Sequence, residues 1–131
     1  MANQEFIIQS AQLEGKNIWT KARVVGEDNV ALVQADVTGY SLSVFDLTSD
    51  TSETAIYSFS DTSATSVVFN TLQTDSSWRK DSVGYNFKAM VAYTAWTQQG
   101  GHTYQLEWNL STSDGPVPII HRVKILPIHR T

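Results

Sequence analysis

The sequence predicts an all-β fold, an antiparallel two-sheet sandwich of immunoglobulin-like type with about seven to nine short strands. The segment from His102 to Leu110 alternates apolar and polar residues with a period of two, which is typical of a half-buried strand. Gly100-Gly101 before this segment and Asp114-Gly115 after it are turn signals that join it to its neighbours. No segment shows a convincing helical period. A jelly roll or a small barrel is the alternative.

Short apolar runs separated by Gly, Asp and Ser turns mark the strands in chain order. The predicted strands cover about residues 6–14, 18–25, 40–45, 55–59, 67–72, 85–93, 102–110 and 119–126. Residues 30–37 fit either a short strand or an extended connection, and residues 74–81 have room for a helical turn. The strand after Gly84 is apolar at neighbouring positions, so we expect burial on both faces, as in a central strand.

Length and composition predict one domain that is stable without disulfide bonds. The chain has 131 residues and no cysteine, which excludes disulfides and thiolate metal sites. A chain of this size buries roughly two-thirds of its unfolded surface, enough for a real core. Residues 1–14 are predicted to form an N-terminal strand or arm, and residues 15–131 the β-sandwich. The first strand is expected either to add to its own sheet or to pair with a neighbouring subunit.

Charge and hydropathy argue against a nucleic-acid or membrane partner. The net charge is −4, whereas phosphate binding needs clustered Lys and Arg. A loose basic group at Arg122, Lys124, His129 and Arg130 is interpreted as a solvated strand face and tail. No apolar run reaches the roughly 20 residues that a membrane span needs. The N-terminus lacks the pattern of a signal peptide, so a protein that is cytosolic when made is expected.

No catalytic, metal-binding or cofactor-binding pattern stands out, so the sequence predicts a non-enzymatic protein without a cofactor. There are three histidines, and His121 and His129, separated by a proline, are not expected to converge on a metal. All three are expected at the surface or in an interface. The chain has no G-x-S-x-G motif and no calcium-loop spacing. Its carboxylates lie mostly in turns, where Asp bonds to its own backbone.

The aromatic residues divide into core and interface candidates. Trp108, Phe87 and Tyr104 lie at apolar positions of alternating strands and are predicted to fill the core. Trp78 lies in the polar stretch T-D-S-S-W-R-K-D and is predicted to be either an interface residue or a cap over the sandwich end. Trp19 alternates with buried positions and is predicted on an outer face. An exposed aromatic platform for sugars is the competing interpretation.

Four segments carry a resemblance to a known group of proteins. They are G-K-N-I-W-T-K-A-R-V, A-D-V-T-G-Y-S-L-S-V-F-D, W-R-K-D-S-V-G-Y-N-F and G-G-H-T-Y-Q-L-E-W-N-L, and together they span most of the chain from Gly15 to Leu110. With these segments the chain resembles small tailed-bacteriophage proteins encoded among virion structural genes. It is also similar to the immunoglobulin-like domains of phage baseplate and capsid-accessory proteins. The motifs are strand starts, turns and core positions, not catalytic signatures.

The resemblance implies a virion component, and the leading hypothesis is a capsid decoration (cement) protein that stabilises the head. Its partners would be the major capsid protein or other virion proteins, contacted by a homo-oligomer or by symmetry-repeated copies. The alternatives are a tail, head-tail connector or baseplate adaptor of the same fold and, from another class, a carbohydrate-binding module for host attachment. Position and chemistry select the candidate contact residues: Phe6, Ile7, Ile8, Trp19, Trp78, Arg79, Ile128, His129 and Arg130.

Overall fold

A computed structural model of the chain describes residues 7–26, 30–48, 55–75, 78 and 83–128. Within these ranges the chain forms eight strands and one short 3-10 helix, Gln34–Asp36. The strands are β1 (Ile7–Leu13), β2 (Ile18–Ala22), β3 (Val37–Asp46), β4 (Tyr57–Asp61), β5 (Val68–Gln73), β6 (Tyr85–Val91), β7 (Thr103–Thr112) and β8 (Gly115–Leu126). The predicted all-β class and two-sheet arrangement are confirmed. No helix among the described residues is long and apolar enough to cross a membrane.

The strands form one sheet of five and one of three. The order is β1-β8-β7-β3-β4 in the larger sheet and β2-β6-β5 in the smaller. The prediction of wholly antiparallel sheets is wrong at one pair, because β1 runs parallel to β8, with Ile7 opposite Ile120 and Leu13 opposite Leu126. Side-chain alternation reports which face a residue occupies and carries no information on the direction of the neighbouring strand. The first strand therefore joins the sheet of its own chain.

The core lies between the two sheets and draws on both. The larger sheet contributes Leu42, Leu106 and Leu110, and the smaller contributes Ile18 and Val91, all at most 3% exposed. Alternation along each strand places one apolar side chain in every two on the inner face. The predicted core aromatics are confirmed, since Phe87, Tyr104 and Trp108 are 0%, 1% and 2% exposed. The Phe87 and Trp108 rings meet edge to face across the sheets, 5.7 Å apart.

The central strand β6 is buried at consecutive positions, as predicted. Asn86, between Tyr85 and Phe87, is a buried polar residue whose side chain is fully used. Its Oδ1 accepts the Val24 N–H at 2.7 Å, and its Nδ2 donates to the carbonyls of Val24 and Leu32 at 2.9 and 2.8 Å. These bonds attach the 30–37 connection to the sheet, where a bridge at Ala31 and the 3-10 helix replace the short strand considered from the sequence.

The last three strands follow the predicted order of strand, Gly turn, strand, Asp-Gly turn, strand. β7 and β8 form a hairpin with Thr112 opposite Gly115, and Gly115 has the positive φ (112°) that the turn requires. Pro116 and Pro118 precede Ile120, the first residue of β8 that pairs with β1 in the described chain. The missing proline N–H groups therefore remove no bond from the β1–β8 ladder.

Gly84 is expected to be the glycine least tolerant of substitution. Its φ is +108°, and an added Cβ would lie 2.5 Å from the Gln73 carbonyl oxygen. Gly101 is the matched control, because its φ is +89° but an added Cβ would meet nothing within 4 Å. The backbone strain costs about 1–2 kcal/mol in either alanine variant, and the steric clash costs Gly84→Ala about 1–3 kcal/mol more. Denaturant unfolding of both variants checks this; equal losses would contradict the clash.

Candidate functional site

The outer face of the three-stranded sheet carries an exposed tryptophan beside two lysines. Trp19 is 49% exposed, whereas its neighbours Ile18 and Thr20 are fully buried. In the antiparallel pairing of β2 with β6, Trp19 lies opposite Met90 and Lys21 lies opposite Lys88. Met90 is 42% exposed, and the Lys88 ammonium lies 5.0 Å from the centroid of the Trp19 ring. We call Trp19, Lys21, Lys88 and Met90 the Trp19 face.

The charge on the three strands of this sheet has one sign. The sequences of β2, β5 and β6 are IWTKA, VFNTLQ and YNFKAMV, which contain no carboxylate. Lysines directly opposite each other on neighbouring strands repel. The ammonium over the Trp19 ring gains a cation–π contact worth about 0.5–1 kcal/mol at an exposed site. The Trp19 face therefore combines an accessible aromatic ring and a flexible thioether, two groups that are enriched at protein interfaces, with two lysine cations.

The predicted outward position of Trp19 is confirmed, since the side chain is 49% exposed. Lys88 and Met90 were not among the predicted site residues. Their alternation along β6 places them on its outer face, but only the register of β2 on β6 brings them beside Trp19. Pairing between distant strands leaves no mark in a local pattern.

The predicted N-terminal contact residues lie mostly within the chain's own sheet. Phe6 and the side chain of Ile7 are outside the described residues. Ile8 is half-buried and packs against the core, with its backbone opposite His121. The described part of this segment is therefore occupied by pairing with β8.

Trp78 is half-buried and packs on the ring of Tyr85 at 5.5 Å. The Tyr85 hydroxyl donates to Asp75 Oδ2 at 2.6 Å. The backbone N–H of Trp78 donates to the backbone carbonyl of Asp75 at 3.0 Å. Of the two predictions for Trp78, the contacts agree better with a cap than with a free interface aromatic. Arg79, its neighbour in the predicted set, lies outside the described residues.

Ile128, the C-terminal candidate that the structure describes, is hydrogen-bonded to the side chain of Glu14. Ile128 is 37% exposed, and its N–H donates to Glu14 Oε1 at 3.2 Å. The other carboxylate oxygen of Glu14 accepts the Gly100 N–H at 3.1 Å. One side chain therefore joins the end of β1, the turn before β7 and the segment after β8. His129 and Arg130 lie outside the described residues.

His121 contradicts the expectation of a surface or interface histidine. It is 3% exposed and faces the core from β8, next to β1 and β7. Its Nδ1 lies 2.8 Å from Thr20 Oγ1, and its Nε2 lies 2.7 Å from Ser10 Oγ. The Trp108 indole N–H donates to the same Thr20 oxygen at 3.0 Å. The two polar partners of His121 come from β1 and β2, and the indole that bonds to Thr20 comes from β7, so local sequence did not reveal this burial.

The buried network is fully satisfied by a neutral imidazole. Trp108 donates to Thr20, Thr20 donates to Nδ1, and a proton on Nε2 donates to Ser10, so each group has a partner. Burial lowers the pKa of His121 to about 4, because the charged form loses its hydration. The network links the two sheets through β2 and β8; His121, Thr20 and Trp108 are buried, whereas Ser10 is exposed.

The structure also defines two concavities. An apolar groove of about 330 Å³ between β4 and the end of β6 is lined by Tyr57 and Phe59 and by Met90 and Ala95. An open depression of about 550 Å³ at the turn between β6 and β7 is lined by residues that include Tyr93 and Trp96.

The six aromatics from which a sugar platform was considered do not form an exposed row. Trp108, Tyr85 and Tyr104 are buried. Trp78 and Trp96 are half-buried, which leaves Tyr93, 52% exposed, as the exposed member of the set.

A histidine–carboxylate pair lies at the start of β7. His102 Nδ1 is 2.9 Å from Asp46 Oδ2, which joins the end of β3 to the start of β7. In the described part of the chain, no group of three or more His, Cys, Asp or Glu side chains is placed to hold a metal ion.

Comparison of the chain with protein-family models, with curated proteins and with solved structures finds no match.

Proposed function

We propose that the two sheets form an immunoglobulin-like sandwich of the variable type. The strand order β8-β7-β3-β4 corresponds to the order G-F-C-C′ of that fold, and β2-β6-β5 corresponds to B-E-D. The first strand then lies beside the last one, at the edge of the larger sheet.

A tyrosine at the start of β7 supports this assignment. The Tyr104 hydroxyl accepts the Gln99 N–H at 3.0 Å, which is the bond of a tyrosine corner at the turn between strands E and F. Two residues later, where antibody-type domains have a cysteine, the chain has the fully buried Leu106. The hydrogen bond from Trp108 on β7 to Thr20 on β2 joins the two strands that the disulfide joins in those domains.

We propose further that the protein is a non-enzymatic virion structural protein, a decoration (cement) protein that binds the outer shell of a phage head. The observation that supports the proposal is the Trp19 face, where a tryptophan is 49% exposed, since tryptophan is among the residues enriched at the hot spots of protein interfaces. The resemblance to phage virion proteins is the reason for proposing a virion component, and the head is the leading hypothesis for its position on the virion. The partner is then the major capsid protein, contacted at symmetry-related positions.

The mechanism is mass action. A subunit that binds only the assembled shell lowers the free energy of that state by RT ln(1 + [L]/Kd), about 2.7 kcal/mol at a free concentration one hundred times Kd. Many symmetry-related copies repeat this gain over the head. The same fold in the tail, connector or baseplate would act as an adaptor, which is the alternative tested below.

The test is binding of the purified chain to heads and to tails from the phage that encodes it, followed by reconstruction of the particle. We expect density on the outside of the head, and Trp19→Ala is expected to weaken binding at least about 30-fold, the effect of an interface hot spot. Tyr93→Ala is the matched control, because Tyr93 is equally exposed but lies outside the Trp19 face.

Three results would contradict the proposal. Density in the neck, tail or baseplate would replace the decoration protein with the adaptor. Absence of the chain from every particle would remove both virion functions. Loss of glycan binding in Tyr93→Ala, with no effect of Trp19→Ala on particle binding, would favour the carbohydrate-binding module.

A further inference from the structure

The Trp19 face contains two cations whose charge is not balanced on the sheet that carries them. Lys21 and Lys88 lie directly opposite each other, and neither makes an ion pair with a described residue. The chain as a whole has net charge −4, with 13 acidic and 9 basic residues. The strands of this sheet therefore carry positive charge that no described residue balances by an ion pair, although the whole protein is negatively charged.

The like-charge pair slightly destabilises the free protein, because charges opposite each other in a sheet repel. An anion placed between the two ammonium groups reverses the sign of that interaction. The Trp19 face is thus electrostatically complementary to a negative surface before any partner is present.

The ring of Trp19 and the thioether of Met90 indicate that the partner also presents an apolar side chain. Lys88 covers one part of the Trp19 ring, at 5.0 Å from its centroid, while Trp19 remains 49% exposed and Met90 42% exposed. An apolar side chain fits against Trp19 and Met90, and a carboxylate beside it reaches Lys21 and Lys88. This combination is found on a protein surface and not on a neutral sugar.

A nucleic acid fits less well. Phosphate backbones are bound by extended tracks of six to ten cations, roughly one for each phosphate contacted, whereas this face offers two lysines on a negatively charged protein. The negative net charge of the protein repels a polyanion at long range and slows its approach. A single acidic patch on another protein can still contact the two lysines, because that interaction acts at short range, where screening is weaker.

We infer that the Trp19 face binds a carboxylate-bearing patch on the shell subunit, with Lys21 and Lys88 contacting the carboxylates and Trp19 and Met90 contacting an adjacent apolar side chain. The inference rests on the proposed function and adds the chemistry of the partner. It predicts that the wild-type affinity falls as salt is raised, because exposed ion pairs are screened.

The first experiment measures binding of the full chain to heads at about 50 mM and about 300 mM NaCl, a range over which the screening length falls substantially. Lys21→Gln with Lys88→Gln is expected to bind about 10-fold more weakly at the lower salt concentration and to lose most of the salt dependence. Lys124→Gln is the matched control, since Lys124 is exposed on the other sheet. Equal binding by wild type and the double variant overturns the inference and leaves the proposed function standing.

The second experiment couples lysine amines to carboxylates in direct contact, using a carbodiimide on intact virions, and identifies the products by mass spectrometry. Links from Lys21 or Lys88 to Asp or Glu of a shell subunit are expected. Links from these lysines to a second copy of this chain, or links from Lys124 alone, overturn the inference. Absence of the chain from virions overturns the proposed function. Presence of the chain in virions without links from Lys21 or Lys88 to the shell overturns only this inference.

Discussion

Lowering the pH from 7 to 4 is expected to remove about 3 kcal/mol of folding free energy through His121 alone. The imidazole is buried and neutral, and burial lowers its pKa from 6.5 to about 4. The groups packed around it are Ser10 of β1, Thr20 of β2 and Leu106 of β7, which carry no charge to offset a protonated ring.

The direction follows from proton binding. Because the pKa of His121 is lower in the fold than in the unfolded chain, the unfolded chain binds the proton more tightly between pH 6.5 and about 4. Stability therefore rises with pH in that window and is fully present above pH 6.5. As the pH falls, the loss reaches about 2 kcal/mol at pH 5 and about 3 kcal/mol at pH 4.

Denaturant unfolding of the wild type and of His121→Gln at several pH values measures this effect. Carboxylate titration contributes equally to both proteins, so the difference between their unfolding free energies isolates the histidine. We expect His121→Gln to be less stable at pH 7 and the gap to close towards pH 4. A gap that does not change with pH would contradict the prediction. If the variant does not fold, an NMR titration of wild-type His121 gives the answer directly, and a pKa near 6.5 would be the contrary result.

Replacement of Trp108 by alanine is expected to remove a large part of the folding free energy. The ring is 2% exposed, and it packs against Phe87 at 5.7 Å and Tyr40 at 6.1 Å. Removing a buried aromatic ring of this size costs about 3–5 kcal/mol, and small domains have only about 5–15 kcal/mol in total. The variant also removes the indole N–H that Thr20 accepts, at the centre of the His121 network.

Trp108→Phe separates the two contributions. It keeps most of the buried ring but removes the donor, so we expect a loss of about 1–3 kcal/mol from the unmatched polar groups and the smaller ring. Trp19→Ala is the control for removal of an exposed tryptophan, with an expected cost of about 1 kcal/mol or less, mainly the cation–π contact with Lys88. Circular dichroism during denaturant unfolding reports all three variants. Similar losses for Trp108→Ala and Trp19→Ala would contradict the assignment of Trp108 to the core.

The candidate site shows how far local patterns extend. Alternation along β2 was enough to predict that Trp19 points outward. The polar sequence around Trp78 was compatible both with an interface residue and with a cap over the sandwich end, and its contact with Tyr85 favours the cap. Lys88 and Met90 were not found, because they adjoin Trp19 only through the register of β2 on β6. The predicted contacts at Phe6, Arg79, His129 and Arg130 lie outside the described residues and stay predictions, as does the role of every member of the set in binding.

Local sequence patterns were sufficient to predict the all-β class, the order of the last three strands, the turns at Gly100-Gly101 and Asp114-Gly115, and the burial of Phe87, Tyr104 and Trp108. These follow from side-chain alternation and turn chemistry, which act over a few neighbouring residues. The parallel pairing of β1 with β8 and the burial of His121 could not be predicted from local patterns and are seen in the folded chain. Strand direction and the polar partners of a buried ring depend on segments far apart in the chain, and only the packing of the whole core selects among them.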